Sequence, residues 1–348
     1  MTRTKLLAFW AGAALAALVP ALGASAAAST SGVLAYVTGT RALNGSVEVA
    51  ALDGHGARRL AAGVTASVAP DGGSVAVVQE LPPRDDTTSN LVVYPSSGGG
   101  GTKLYHCNGF LTVYGWSPDS ARILATCPTG LNQRGPLVVI DARSGATVKL
   151  ASGVIEGASF SPSSGEVVYA LGVSQQLSSP VNLFTAPAGG GASRQLTHGG
   201  IQLGPLWGPN GIVYAHETSR GSEYAPINQI WIMRPNGSGA RQLTHMPVDK
   251  LAEGLVPVGL SADGKHMLAD FEGTDQSSAW AVDLTGASVV PRPLLKTMNS
   301  AQAISRDGST VLLTTGFEGS PSSVESVPFG GGTPTVLAPH GTTASWNR

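Results

Sequence analysis

Trp116-Ser117-Pro118-Asp119-Ser120-Ala121-Arg122-Ile123-Leu124-Ala125 is the stretch whose reading decides the fold. An aromatic residue ends one extended run, Ser-Pro-Asp makes a tight turn, and a short apolar run opens the next strand. The phrase returns as Val68-Ala69-Pro70-Asp71-Gly72, Phe160-Ser161-Pro162, Trp207-Gly208-Pro209-Asn210-Gly211, Leu260-Ser261-Ala262-Asp263-Gly264 and Ile304-Ser305-Arg306-Asp307-Gly308. The Pro-equivalent positions are separated by 48, 44, 47, 53 and 44 residues. Short strands recurring at that period are the signature of a β-propeller, one four-stranded sheet per repeat.

Working outward from the turn, each repeat holds four strand-like runs, a to d. Strand a ends at the residue before the turn, and strand b follows it, over 74–79, 122–127, 166–171, 212–216, 265–271 and 309–314. Apolar c runs and brief outer d runs complete each unit. One further unit is split between the chain ends: 34–37, 47–52 and 58–60 read as its b, c and d strands. Its a strand is found at 343–346, which aligns Trp346 with Trp116 and Trp207. The expectation is an all-β chain, a seven-bladed β-propeller of four-stranded blades over 32–348. A carboxyl-terminal inner strand joins the amino-terminal blade and leaves no open sheet edge there.

Composition agrees, with 46 Gly, 23 Pro and only 12% charged residues, which suits short strands joined by turns. At the amino terminus Arg3 and Lys5 precede an apolar run over 6–22, followed by Ala24-Ser25-Ala26. This reads as a signal peptide over 1–26 cleaved near Ala26, with 27–31 as a short linker, and so as export to the periplasm, cell envelope or medium. The apolar run is short and contains Gly12 and Pro20, so no membrane span is expected after cleavage. Without Arg3 and Lys5 the chain keeps 19 basic against 22 acidic residues and has no basic stripe, which excludes an electrostatic case for nucleic acid. Cys107 ends a d strand and Cys127 ends the next b strand on the same face. With export to an oxidising compartment and no other cysteine to compete, a disulfide between them is expected.

The Trp116-Ser117-Pro118-Asp119 and Phe160-Ser161-Pro162 turns and the outer-strand phrases Arg194-Gln195-Leu196-Thr197 and Arg241-Gln242-Leu243-Thr244 carry a family likeness. They resemble the WD-like PD repeats of the TolB family and of the propellers of dipeptidyl peptidases and tricorn-type proteases. The resemblance covers 32–348 and implies the propeller fold; for function it implies recognition of envelope proteins or peptides. TolB itself is six-bladed with an α/β domain before its propeller, and the peptidases carry a hydrolase domain. Reading 32–348 as propeller leaves no stretch of this sequence for either.

Catalytic chemistry is thin. There is no Gly-x-Ser-x-Gly elbow. The expected inner strands, 63–69, 111–117, 155–161, 202–208, 256–261, 301–305 and 342–346, hold one carboxylate, Glu156, and two amides, Gln202 and Gln302. A hard metal in the central channel wants more oxygens than that. His106, His198, His245 and His340 fall at or just after outer strands of different repeats, too far apart for the ~2 Å bonds of a shared zinc. Asp71, Asp263 and Asp307 are what tight turns require. Asn44 and Asn236 match the glycosylation sequon, but each sits at a hairpin turn where Asn-Gly is expected anyway. No catalytic residue, metal or cofactor is expected, and the chain reads as not an enzyme.

Strands alternate in direction, so a–b and c–d turns share one face and b–c and d–a connections the other. Long, varied connections gather on the second face, where loops on a rigid scaffold carry binding. The candidate ligand-binding residues there are Arg84, Asp85, Asp86, Arg134, His216, Glu217, Arg220, Glu223, Tyr224, Glu272 and Asp275, centred on 216–228. His198 and His216 are placed to approach each other at the base of that loop. The expected function is an exported, monomeric, non-enzymatic module that binds a protein or peptide partner of the envelope. Two alternatives stay open: a propeller enzyme acting on a sugar, lactone or peptide at the channel mouth, or a cell-wall glycan-binding protein.

Overall fold

A computed structural model describes residues 32–39, 44–81, 88–129, 134–174, 179–220, 226–247, 252–273, 276–286, 289–316 and 321–348. They form strands and turns, with no helix among the described residues. In chain order the strands are β1 (Val33–Thr38), β2 (Gly45–Ala51), β3 (Arg58–Gly63), β4 (Thr65–Val68), β5 (Ser74–Leu81), β6 (Thr88–Pro95), β7 (Thr102–Cys107), β8 (Thr112–Trp116) and β9 (Arg122–Thr126). Next come β10 (Arg134–Asp141), β11 (Thr147–Phe160), β12 (Glu166–Gly172), β13 (Val181–Pro187), β14 (Arg194–Gln195), β15 (Gln202–Gly208), β16 (Gly211–Arg220), β17 (Pro226–Met233) and β18 (Arg241–Gln242). The chain ends with β19 (Ala252–Leu260), β20 (His266–Gly273), β21 (Gln276–Asp283), β22 (Arg292–Pro293), β23 (Asn299–Ile304), β24 (Thr310–Thr315), β25 (Ser323–Pro328), β26 (Thr335–Pro339) and β27 (Gly341–Trp346).

Three sheets have four strands, ordered β27-β1-β2-β3, β4-β5-β6-β7 and β23-β24-β25-β26. A fourth runs from β8 to β14 in sequence order. The fifth runs β15-β16-β17-β19-β20-β21-β22, with β18 also on β17. Both large sheets contain a joint. β11 pairs with β10 over its first half and with β12 over its second. β17 and β19 meet only through one parallel bridge, Asn228 to Gly254. The last strand lies antiparallel on the first, with Trp346 opposite Leu34 and Ser345 opposite Ala35.

The second strand of each set is buried on both faces, which is why its sequence is a continuous apolar run and not an alternating one. Ile123, Leu124 and Ala125, Val167 to Ala170, and Val311, Leu312 and Leu313 are all at most 1% exposed. Core clusters lie between neighbouring sheets. One joins Val78 and Leu91 to Ile123, Ala125 and Ile140, and another joins Leu34 and Tyr36 to Leu312, Leu337 and Trp346. Each such aliphatic side chain contributes roughly 1.5–3 kcal/mol by leaving water.

The turns repeat because the same polar atoms close them. Ser117 Oγ accepts from Arg122 N (2.9 Å) and donates to Asp119 Oδ1, which also accepts from Ala121 N (3.1 Å). Ser261 with Asp263, and Ser305 with Asp307, do the same. The fourth turn residue is left-handed: Gly72, Gly264 and Gly308 have φ of 72°, 66° and 73°, while Ser120 and Ser164 adopt 59° and 61°. That position explains the Asp-Gly pairs, since glycine takes it without a steric penalty.

Outer strands are shorter than the sequence reading allowed: β14 and β18 have two residues each. A threonine hydroxyl replaces the ladder. Thr197 Oγ1 accepts from Leu183 N (2.9 Å), and Thr244 Oγ1 accepts from Ile230 N (2.9 Å). Short outer strands of this kind also present little edge for another chain to pair with. Cys107 and Cys127 are bonded, with Cα atoms 5.7 Å apart and both side chains buried. The segment between them folds back so that Phe110 N donates to Pro128 O, which brings the outer strand of one sheet to the second strand of the next.

Candidate functional site

The starts of the inner strands and the ends of the second strands lie on the face of the b–c and d–a connections. There β16 pairs Gln202 with His216. The pairing is one residue out of step with simple counting from the Gly208–Gly211 turn, because a bulge falls between Leu203 and Leu206. Gln202 Nε2 lies 3.0 Å from His216 Nδ1, while Gln202 Oε1 accepts from Thr197 Oγ1 at 2.7 Å. The amide therefore donates to Nδ1, and the imidazole carries its proton on Nε2. Trp231 meets the same ring edge-on, with centroids 5.0 Å apart. Burial lowers the His216 pKa, opposed by a hydrogen bond with the Ile201 backbone and by the charge of Glu217. The partner of His216 is thus Gln202; His198 lies exposed, and no hydrogen bond joins it to His216 among the described residues.

A row of acceptors crosses the neighbouring strands. Glu217 is opposite Asn228, Asn228 is bridged to Gly254, and Gly254 is opposite Glu272. Glu253 stands beside this row at the start of β19, three residues before the segment read as inner strand from the sequence. Asn228 is 1% exposed, and its Oδ1 has no partner among the described residues. The bridge needs glycine: a Cβ on Gly254 would lie 2.4 Å from the Asn228 carbonyl oxygen, and its φ is +95°. Glu272 is open to solvent by surface area yet crowded by neighbouring atoms; that crowding, and then the charge of Glu253, raises its pKa.

Asp270, two residues before Glu272, is pushed up to about 6 by burial, against the hydrogen bond from Ala301 N and with help from the charge of Glu272. Its Oδ1 accepts from Ala301 N (2.8 Å) and its Oδ2 from Ser300 Oγ (3.3 Å), so both oxygens tie β20 to β23. This is a positioning role. Elsewhere, burial raises Glu156, and Tyr114 is pushed up by burial and by Glu156 while its hydroxyl donates to Ile155 O (2.9 Å).

Of the residues expected from the sequence, His216, Glu217 and Glu272 fall on this part of the face. Arg134 is exposed and donates to Val173 O at 3.1 Å, holding two neighbouring connections together. Arg84, Asp85, Asp86, Glu223, Tyr224 and Asp275 lie outside the described residues, as does the side chain of Arg220. Sequence reading missed Asn228, Glu253 and Asp270. Among the described residues no group of three or more His, Cys, Asp or Glu is placed to hold a metal ion. No helix among them is long and apolar enough to cross a membrane.

Neither a protein-family model nor a curated protein matches the sequence. Solved structures do. TolB from Acinetobacter baumannii is 15% identical, with a TM-score of 0.57 over 91% of this chain and 83% of that one. The β-propeller domain of the trilobed protease from Pyrococcus furiosus, described as having an open velcro topology, is 11% identical, with a TM-score of 0.60 over 85% and 88%. A prolyl endopeptidase is 15% identical, with a TM-score of 0.64 over 89% of this chain. The match spans 48% of that peptidase, about half its length. At these identities the likeness is one of fold, and the fold is that of the TolB-like β-propellers.

Proposed function

We propose that this chain is an exported, monomeric, non-enzymatic propeller whose b–c and d–a face binds a donor-rich segment of an envelope protein or peptide. Seven blades closed by β27 make up its ring. The closed ring is supported by the sequence of inner-strand neighbours, which runs β27, β4, β8, β11, β15, β19, β23 and back to β27. Export is supported by the buried disulfide, since such bonds persist in oxidising compartments.

The observation that carries the binding face is the acceptor row Glu217, Asn228 and Glu272, set in register through Gly254, with Glu253 at the register shift beside it. On the opposite face the turn carboxylates Asp119, Asp263 and Asp307 are already engaged by their own turns. Here two carboxylates repel each other, and a buried amide oxygen lacks a donor. Lysine or arginine side chains of a partner would relieve the repulsion of the carboxylates.

The test is photocrosslinking in the producing cell, with the reactive group at position 253 or, on the other face, at position 236. Adducts at 253 alone, reduced at least fivefold by Glu272→Gln and weakened by salt, are expected. Adducts at 236 alone, or adducts indifferent to Glu272→Gln, reject the assignment of face and chemistry.

A further inference from the structure

Four outer strands begin with arginine at one equivalent place: Arg58, Arg194, Arg241 and Arg292. Three of these guanidinium groups reach the neighbouring sheet and donate to a turn carbonyl: Arg58 to Ser96, Arg194 to Pro235 and Arg292 to Phe329. Leu284 occupies the place of Ser96 and Phe329, since all three donate their N–H to the carbonyl that precedes the second strand. Arg241 should therefore meet the Leu284 carbonyl. Among the described residues no hydrogen bond or ion pair holds its guanidinium. Arg241 and Leu284 instead both line a cavity of about 180 Å³ between the β15–β18 and β19–β22 strands.

A second departure falls at the same joint. Ser117, Ser161, Ser261 and Ser305 begin four of the other turns and Ala69 the fifth, and all are buried; Gly208 stands there in this one and lines the cavity. A Cβ on Gly208 would come within 3.0 Å of Leu260 Cδ1, so the missing side chain keeps the space open. Its aliphatic walls are Val213, Ile232, Leu243, Leu260 and Leu284, with Gly211 and Gly264 between them. Asn210, also in the lining, has its amide nitrogen directed to the carbonyls of Asp263 and Gly264.

We propose that this joint binds a carboxylate carrying one short branched aliphatic group. Arg241 takes the carboxylate through its planar fork, and the aliphatic walls take the side chain. The volume is below the roughly 300–1,000 Å³ of sites for larger ligands, which limits the occupant to one side chain with its acid. A free branched acid and the carboxyl terminus of a peptide ending in leucine share this chemistry. The site lies on the face opposite the acceptor row and does not depend on it.

The experiment is titration of the full mature protein, followed by calorimetry and by the Arg241 side-chain NMR signal. The probes are isovalerate, N-acetyl-leucine, N-acetyl-leucinamide and Gly-Gly-Leu with free or amidated terminus. The acids are expected to bind at least tenfold more tightly than the amides and to shift the Arg241 signal. Arg241→Met should weaken the acids at least tenfold. Gly208→Ser restores the residue of four of the other turns at a backbone angle that tolerates it, and should do the same by filling the space. Gly-Gly-Leu binding tenfold more tightly than isovalerate assigns the site to peptide termini; equal affinity assigns it to free acids. Equal binding of acid and amide, no binding of any probe at tens of millimolar, or unchanged affinity in folded Arg241→Met overturns the proposal. If either variant fails to fold, the acid–amide comparison on the unaltered protein still decides.

Discussion

The hydroxyl of Ser164 accepts a hydrogen bond from the backbone N–H of Asp119 at 3.2 Å, although 45 residues separate them. Ser120 accepts in the same way from Asp71 N at 3.0 Å. Both serines hold the left-handed turn position that glycine takes elsewhere. A side chain there is strained, and what the strain supports is a link to the neighbouring turn.

Ser164 is 3% exposed, so the two effects can be separated. Ser164→Ala keeps the strained conformation and loses the acceptor; it should cost about 1–2 kcal/mol in chemical denaturation. Ser164→Gly loses the acceptor but relieves the strain and should cost less. An alanine variant as stable as the parent, or a glycine variant weaker than the alanine one, would contradict this account.

Asp270 makes stability depend on pH in a direction opposite to that of the turn aspartates. Its pKa in the folded protein, about 6, lies above the ordinary 3.8, so the native state takes up its proton first. The native state therefore gains stability as pH falls from about 6 toward 4, and above 6 it carries the cost of a buried charge, on the order of 2–3 kcal/mol at most. Asp270→Asn keeps an oxygen for Ala301 N and removes the charge. The variant should be more stable than the parent at pH 8, with the difference shrinking as pH falls below 6 and gone only below about pH 4. A difference that stays constant over that range would show that the ionisation is not responsible.

Trp346 is 6% exposed in the cluster with Leu34 and Tyr36, and its indole N–H is buried with no partner among the described residues. Trp346→Ala should cost about 3–5 kcal/mol, because β27 loses its anchor and leaves a cavity. Trp346→Phe should cost far less, since it also removes the unsatisfied donor. An alanine variant with an unchanged unfolding midpoint would mean that β27 does not hold the chain ends together.

What could be read in the sequence was whatever repeats. Ser-Pro-Asp and Asp-Gly recur because one backbone turn uses the same hydroxyl, carboxylate and left-handed residue each time. Arg-Gln-Leu-Thr was visible as a phrase, but its division of labour was not: among the described residues Arg194 crosses to the next sheet and Arg241 does not, Leu196 is half-buried and Leu243 buried, and in both the threonine hydroxyl replaces a ladder bond. Contacts between sheets escaped the reading, because nothing local ties Asp270 to Ala301, 31 residues later. The partner of His216 escaped for a different reason. One bulge in β15 moves the register by a residue, which changes the side chain each position meets. Glu253 was overlooked because β19 begins before the apolar run that announces it.

β11 runs for fourteen residues without a break, outermost on one side and innermost on the other. Rotation about a joint needs residues whose backbone angles can change, and those of β11 are held in ladders to β10 or β12 except at Leu150 and at the Glu156-Gly157 bulge. The strands from β8 to β14 are therefore joined through one continuous strand, where other neighbouring sets are joined by loops. If the assembly breathes to admit a partner, the joints made by loops are expected to yield before the one that β11 spans.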